Sequence, residues 1–140
     1  MKTLIVIVLI VVAGGVYFFL NYKPEIKIKP IDKSDLIVVS SPIKDSQISS
    51  PLSISGRARG VWYFEGSFPV ELVDAYGNTI AEGHVTAQGE WTTEEFVPFL
   101  GTLQFNNYIK GSTGKLILKK DNPSGLPEHD DSIEILVTFK

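Results

Sequence analysis

The chain has 140 residues, with 13 Lys+Arg, 16 Asp+Glu, two His and no Cys, and a formal net charge of −3. The lack of cysteine excludes disulfide scaffolds, thiolate-ligated metals and thiol catalysis. From residue 31 onward 9 basic residues stand against 15 acidic ones, so a phosphate backbone would meet repulsion in place of counterion release, and no nucleic acid partner is expected.

Between Lys2 and Lys23 lie 20 uncharged residues, Thr3 to Tyr22. A helix of that length, at about 1.5 Å per residue, spans roughly 30 Å, the thickness of a bilayer core. Residues 1–22 are therefore read as a transmembrane anchor or a signal peptide. A cleaved signal would use Lys2, the apolar run Leu4 to Val12 and the small residues Ala13-Gly14-Gly15, leaving a secreted domain. Tyr17, Phe18, Phe19 and Tyr22 extend the run and place rings at the expected interface, which favours an uncleaved single-pass anchor with residues 4–20 in the membrane. Lys2 on one side is matched by Lys23, Lys27 and Lys29 on the other, so charge does not set the orientation. Larger domains translocate regardless of nearby charge, and an extracytoplasmic C-terminal part is expected.

Residues 23–35 contain Pro24 and Pro30, lack helical periodicity and read as an extended tether; the alternative is an early strand over Glu25 to Lys29. Residues 36–140 alternate short apolar runs with turn clusters, as all-β domains do. Seven strands are predicted. The first is Leu36 to Val39, and the second runs from Leu52 to Ala58, with Leu52, Ile54, Gly56 and Ala58 on one face and Ser53, Ser55 and Arg57 on the other. Val70 to Val73 and Thr79 to Val85 flank a turn at Asp74-Ala75-Tyr76-Gly77-Asn78. A second hairpin is expected at Ala87-Gln88-Gly89-Glu90, leading into a strand over Trp91 to Val97 with Trp91 as a core anchor. Leu116 and Leu118, then Ile133, Ile135, Val137 and Phe139, mark the last two. The count and spacing suit an immunoglobulin-like antiparallel β-sandwich, with a small barrel as the structural rival.

An ordered set of motifs carries a family resemblance. It comprises Val39-Ser40-Ser41-Pro42, Ser50-Pro51-Leu52, Ile54-Ser55-Gly56-Arg57-Ala58, Phe64-Glu65-Gly66, Leu72-Val73-Asp74 with Gly77, Gly89-Glu90-Trp91 with Phe96, and Gly114-Lys115-Leu116. From Val38 to Phe139 the chain resembles the immunoglobulin-like domain of bacterial spore germination, a domain found alongside the GerMN domain in envelope proteins. The resemblance implies an exported, non-enzymatic sandwich attached to the envelope by a lipoprotein signal or a membrane segment. It supplies no catalytic residues and no germination role. Since this chain has no cysteine for a lipid anchor, residues 4–20 would have to provide the attachment.

Two segments stand out as candidate sites. Trp62, Tyr63, Phe64, Glu65 and Phe68 put four rings and a carboxylate within seven positions. Alternation cannot bury all four rings on one face, so a partner-binding surface is expected, with Trp62 or Tyr63 exposed. Alternatively, Phe64 and Phe68 plug the sandwich edge while Glu65 accepts hydrogen bonds from loop N–H groups. The segment from Asp121 to Asp131 concentrates oxygen donors, and Asp121, Glu128, Asp130 and Asp131 are weak candidates for a calcium-like cation; a solvated acidic loop is the simpler reading. His84 and His129 lack a nucleophile elbow, and Glu94 and Glu95 would leave opposite faces of a strand. No catalytic residue and no cofactor is expected. The function expected is a membrane-anchored, extracytoplasmic, non-catalytic interaction domain, binding an envelope protein or a cell-wall polymer. The alternative is a structural subunit that pairs through its sheet edges.

Overall fold

The structure, a computed structural model, describes residues 32–140. The expected membrane segment over residues 1–22 and most of the tether lie outside the described residues. No helix among the described residues is long and apolar enough to cross a membrane. The end of the tether that is described, Asp32 to Asp35, is not extended. Leu36 and Ile37 N–H both donate to Lys33 O, Ser34 N–H donates to the Asp32 carboxylate, and Lys33 pairs with Asp131. Short polar side chains that bond their own backbone turn the chain here and tie it to the domain.

Eight strands follow: β1 (Ile37–Ser41), β2 (Ser46–Ile48), β3 (Leu52–Arg59), β4 (Ser67–Asp74), β5 (Thr79–Ala87), β6 (Phe96–Leu103), β7 (Thr113–Lys119) and β8 (Ser132–Phe139). They form one sheet in the order β1-β3-β6-β5-β4-β7-β8-β2. The expected seven-stranded, wholly antiparallel sandwich is corrected in two respects. β2 is an additional strand and pairs parallel to β8, Ser46 to Ile48 against Val137 to Phe139. The two groups β1-β3-β6 and β5-β4-β7-β8-β2 are joined into one curled sheet by two residue pairs, Thr86 with Leu100 and Ala87 with Phe99. Their inner faces share one core. Phe68 from β4 and Phe99 from β6 meet edge-on with centroids 5.1 Å apart, and Ile54, Leu72, Leu116, Leu118 and Val137 are fully buried with them.

The alternating patterns form strands where expected at β3, β5, β7 and β8. The β4–β5 turn is set by Asp74, whose carboxylate accepts from Tyr76 N–H and Asn78 N–H at 2.8 Å each and from Asn78 Nδ2 at 2.9 Å. These bonds hold the Asp74 carboxyl below its usual range, Asn78 contributing most. The expected strand over Trp91 to Val97 is corrected: residues 88–95 form a loop, and β6 runs from Phe96 to Leu103. Local hydrogen bonds draw this segment out of the ladder, Thr92 N–H and hydroxyl donating to Glu90 and Thr93 N–H to Trp91 O. Gly60 accommodates the loop, since a Cβ there would sit 1.9 Å from Thr93 O. Trp91 is half-buried against the core, and Glu94 and Glu95 lie in this loop, not on a strand.

Candidate functional site

The aromatic segment is positioned by the path from β3 to β4. After Arg59 the chain makes one 3-10 turn, Gly60–Trp62, which drops Trp62 and Tyr63 into the core. Trp62, Tyr63 and Phe68 are buried, so an exposed contact role for these three is corrected to a structural one. Trp62 and Tyr63 pack on the Phe68 ring at centroid distances of 6.4 and 5.2 Å. Tyr63 hydroxyl donates to Val97 O at 2.7 Å, and burial pushes the phenol up to about 12. The indole N–H of Trp62 has no partner among the described residues. Alternation fails as a guide here because the 3-10 turn breaks the period of two.

Phe64 and Glu65 are the exposed members. Phe64 and Ser67 exchange backbone hydrogen bonds, with Glu65 at φ 50° and Gly66 at φ 75° between them. Positive φ at both central residues is the pattern of a type I′ hairpin turn, which prefers Asn, Asp or Gly. Glutamate there carries a backbone cost of about 1–2 kcal/mol. Its carboxylate accepts no hydrogen bond and forms no ion pair among the described residues, contrary to the expected loop-capping role.

The acidic segment closes on itself. Asn122 Nδ2 donates to Asp130 Oδ1 at 2.7 Å and to Leu126 O at 2.8 Å, and Ser124 hydroxyl lies 2.9 Å from His129 Nδ1. Asp131 is taken by Lys33 and Ser132 N–H. Among the described residues no three acidic or histidine side chains converge as a metal would require, so Asp121, Glu128, Asp130 and Asp131 do not form a common set. An open cleft beside this loop brings Lys119, Lys120, Asp121 and Asp130 together. Its cations are partly spent: Lys119 donates to Glu71 at 2.5 Å, and Glu71, also bonded by Thr79, is held below the usual carboxylate range mainly by that lysine.

Two further surfaces were not picked out from sequence. At the end of the domain where β4 turns into β5, Tyr76 is 88% and Ile109 73% exposed, bordering a cavity of about 150 Å³ with Asn107, Tyr108 and Phe139. Tyr108 is stacked on Phe139 at 5.1 Å, so this end is firmly backed. The second is the outer face of β3 and β6, where Arg57 and Arg59 lie over the Phe96 ring at 5.1 and 4.2 Å. Pro98 pairs with Arg57 and the half-exposed Leu100 with Ser55. The period-two positions of Arg57 and Arg59 were visible in the sequence. Their aromatic partner was not, because Phe96 reaches them only through β3–β6 pairing.

These features define an all-β, immunoglobulin-like domain whose rings are mostly core. The family model for the immunoglobulin-like domain of bacterial spore germination, Gmad2, matches residues 36–125, and the chain belongs to that family. The match ends before β8, the strand that gives β2 its pairing partner. No curated protein and no solved structure matches the chain.

Proposed function

We propose that this chain is a membrane-attached, extracytoplasmic interaction domain without catalytic activity, held by residues 1–22 and binding an envelope protein or cell-wall polymer. The observation that carries the reading is the placement of Tyr76 and Ile109. They crown the end where β8 finishes, with Phe139 beneath them. The chain comes into the domain at the other end of β8, where Lys33 bonds Asp131 and Ser132 O. An exposed ring and an exposed aliphatic side chain over a packed aromatic base, at the end of the domain opposite Lys33, are what a binding surface needs. Pairing through sheet edges is the weaker reading, because the edge strands β1 and β2 have only five and three residues and short edges resist strand addition.

Residues 32–140 should co-sediment with purified cell-wall sacculi or be recovered cross-linked to a membrane protein. Tyr76→Ala with Ile109→Ser should abolish the interaction and leave the melting temperature unchanged. Undiminished binding by that variant would remove the pole from the proposal. Protease added to intact cells should digest the domain, and digestion only after lysis would refute the topology.

A further inference from the structure

We propose that the domain carries a self-complementary patch through which two copies of this chain associate, the Phe64–Glu65 turn of one seating on the Arg57, Phe96 and Leu100 surface of the other. Arg57 and Arg59 are the only arginines in the chain, and they share the outer face of β3. Arg59 is engaged within the domain: Nε donates to Asp35 O at 3.0 Å, Nη1 donates to Glu94 O at 3.1 Å, and Glu95 lies 3.8 Å away. Arg57 has no hydrogen-bond or ion-pair partner among the described residues, yet Phe96 already supports its guanidinium. Stacking leaves the planar edge of the guanidinium open for a bidentate carboxylate and reduces the freedom lost on binding.

The surroundings select the ligand. Phe96, Pro98 and Leu100 occupy alternate positions on the same face of β6, with Leu100 53% exposed. A polyanion would need several free cations and would approach a domain with 9 basic and 15 acidic residues. One open guanidinium in an apolar setting fits a single carboxylate flanked by an apolar side chain. The chain itself offers that pair. Glu65 is exposed and unpartnered among the described residues, and Phe64 beside it is 42% exposed. The Glu65 φ of 50° is one that glycine adopts freely, so this position holds a carboxylate at a backbone cost.

The two patches lie three inter-strand spacings apart, about 14 Å. Ala87 N–H donates to Gly66 O, Ala87 pairs with Phe99, and Phe99 pairs with Gly56, next to Arg57. At that separation Glu65 and Arg57 form no ion pair within one copy. Complementary groups set apart on one domain let a two-fold axis between them bring each Glu65 to the other copy's Arg57. This patch shares no residue with the pole at Tyr76 and Ile109.

The absence of cysteine permits a direct test on the full chain. One tagged population carries Phe64→Cys and a differently tagged one carries Leu100→Cys; mild oxidation should give a mixed-tag disulfide product. Thr102→Cys, two positions further along β6, should give little when used in place of Leu100→Cys. Arg57→Glu or Glu65→Arg in both populations should reduce the product about fivefold or more, and the double reversal should restore it. Glu65→Gly should lower the yield while raising the melting temperature, which separates loss of association from loss of folding. Absence of the mixed product, a yield indifferent to Arg57→Glu, or failure of the double reversal would each overturn the proposal. Normal cross-linking with no sacculus or membrane-protein binding would uphold self-association and refute only the proposed envelope-binding function.

Discussion

Tyr63 shows how much one polar atom matters in a core of this size. Its hydroxyl donates to Val97 O, and Tyr63→Phe removes that bond from the core, an expected loss of about 1 kcal/mol. The same burial keeps the phenol neutral, with its pKa near 12 against an ordinary value of 10.0. A raised folded-state pKa contributes stability that is fully present below the unfolded value. That stability is lost as pH rises from 10 through 12, because the unfolded chain ionises first. Absorbance titration should show a step near pH 12 that Tyr63→Phe removes. Trp62→Ala should cost about 3–5 kcal/mol as a core truncation, with circular dichroism melting as the readout. Both residues are recognisable in the sequence as aromatic, but their burial is not, since a single 3-10 turn between two strands redirects them. Glu65 is the converse case: the Glu65-Gly66 pair is legible as a turn, while the positive φ of the glutamate emerges only from the closed hairpin.

Individual strands owe their placement to side chains that bridge neighbours. Glu71 on β4 joins Lys119 on β7 and Thr79 on β5, tying three adjacent strands on their outer face. Because Lys119, then Thr79, hold the Glu71 carboxyl below its ordinary value, its contribution is present above the unfolded pKa and is lost as pH falls through the lower, folded one. Glu71→Gln should cost about 1 kcal/mol at neutral pH, and the difference from the parent chain should shrink in acid. Chemical denaturation at neutral and at acidic pH measures this. Gly56 on β3 acts by leaving space, since a Cβ would lie 2.2 Å from Val38 O and 2.6 Å from the Phe99 ring. Gly56→Ala should therefore destabilise by about 1–3 kcal/mol through overpacking. The sequence pattern places Gly56 on the apolar face of a strand, while the close approach of β1 that requires glycine follows from pairing.

At the largest scale, the described residues form eight strands in one curled sheet with a shared core, and the most exposed apolar side chains, Tyr76 and Ile109, stand at one end. The period-two runs were enough to point to an all-β fold, because alternation follows directly from one buried and one wet face. They also located the Asp74 to Asn78 turn, where the side chain of Asp74 bonds its own local backbone. The three-residue β2 was beyond them, since Ser46 to Ile48 has too little pattern and gains its hydrogen bonds from β8, about 90 residues later in the chain. So was the start of β6, which the local bonds of Glu90 and Thr93 delay to Phe96. Tertiary structure alone decided which rings are core and which charges are free. Trp62, Tyr63 and Phe68 are buried because β4 and β6 close over them, and Arg57 is left open because Asp35 O and Glu94 O reach only Arg59. Local chemistry specifies strands and turns, whereas burial and charge pairing depend on contacts between residues far apart in the chain.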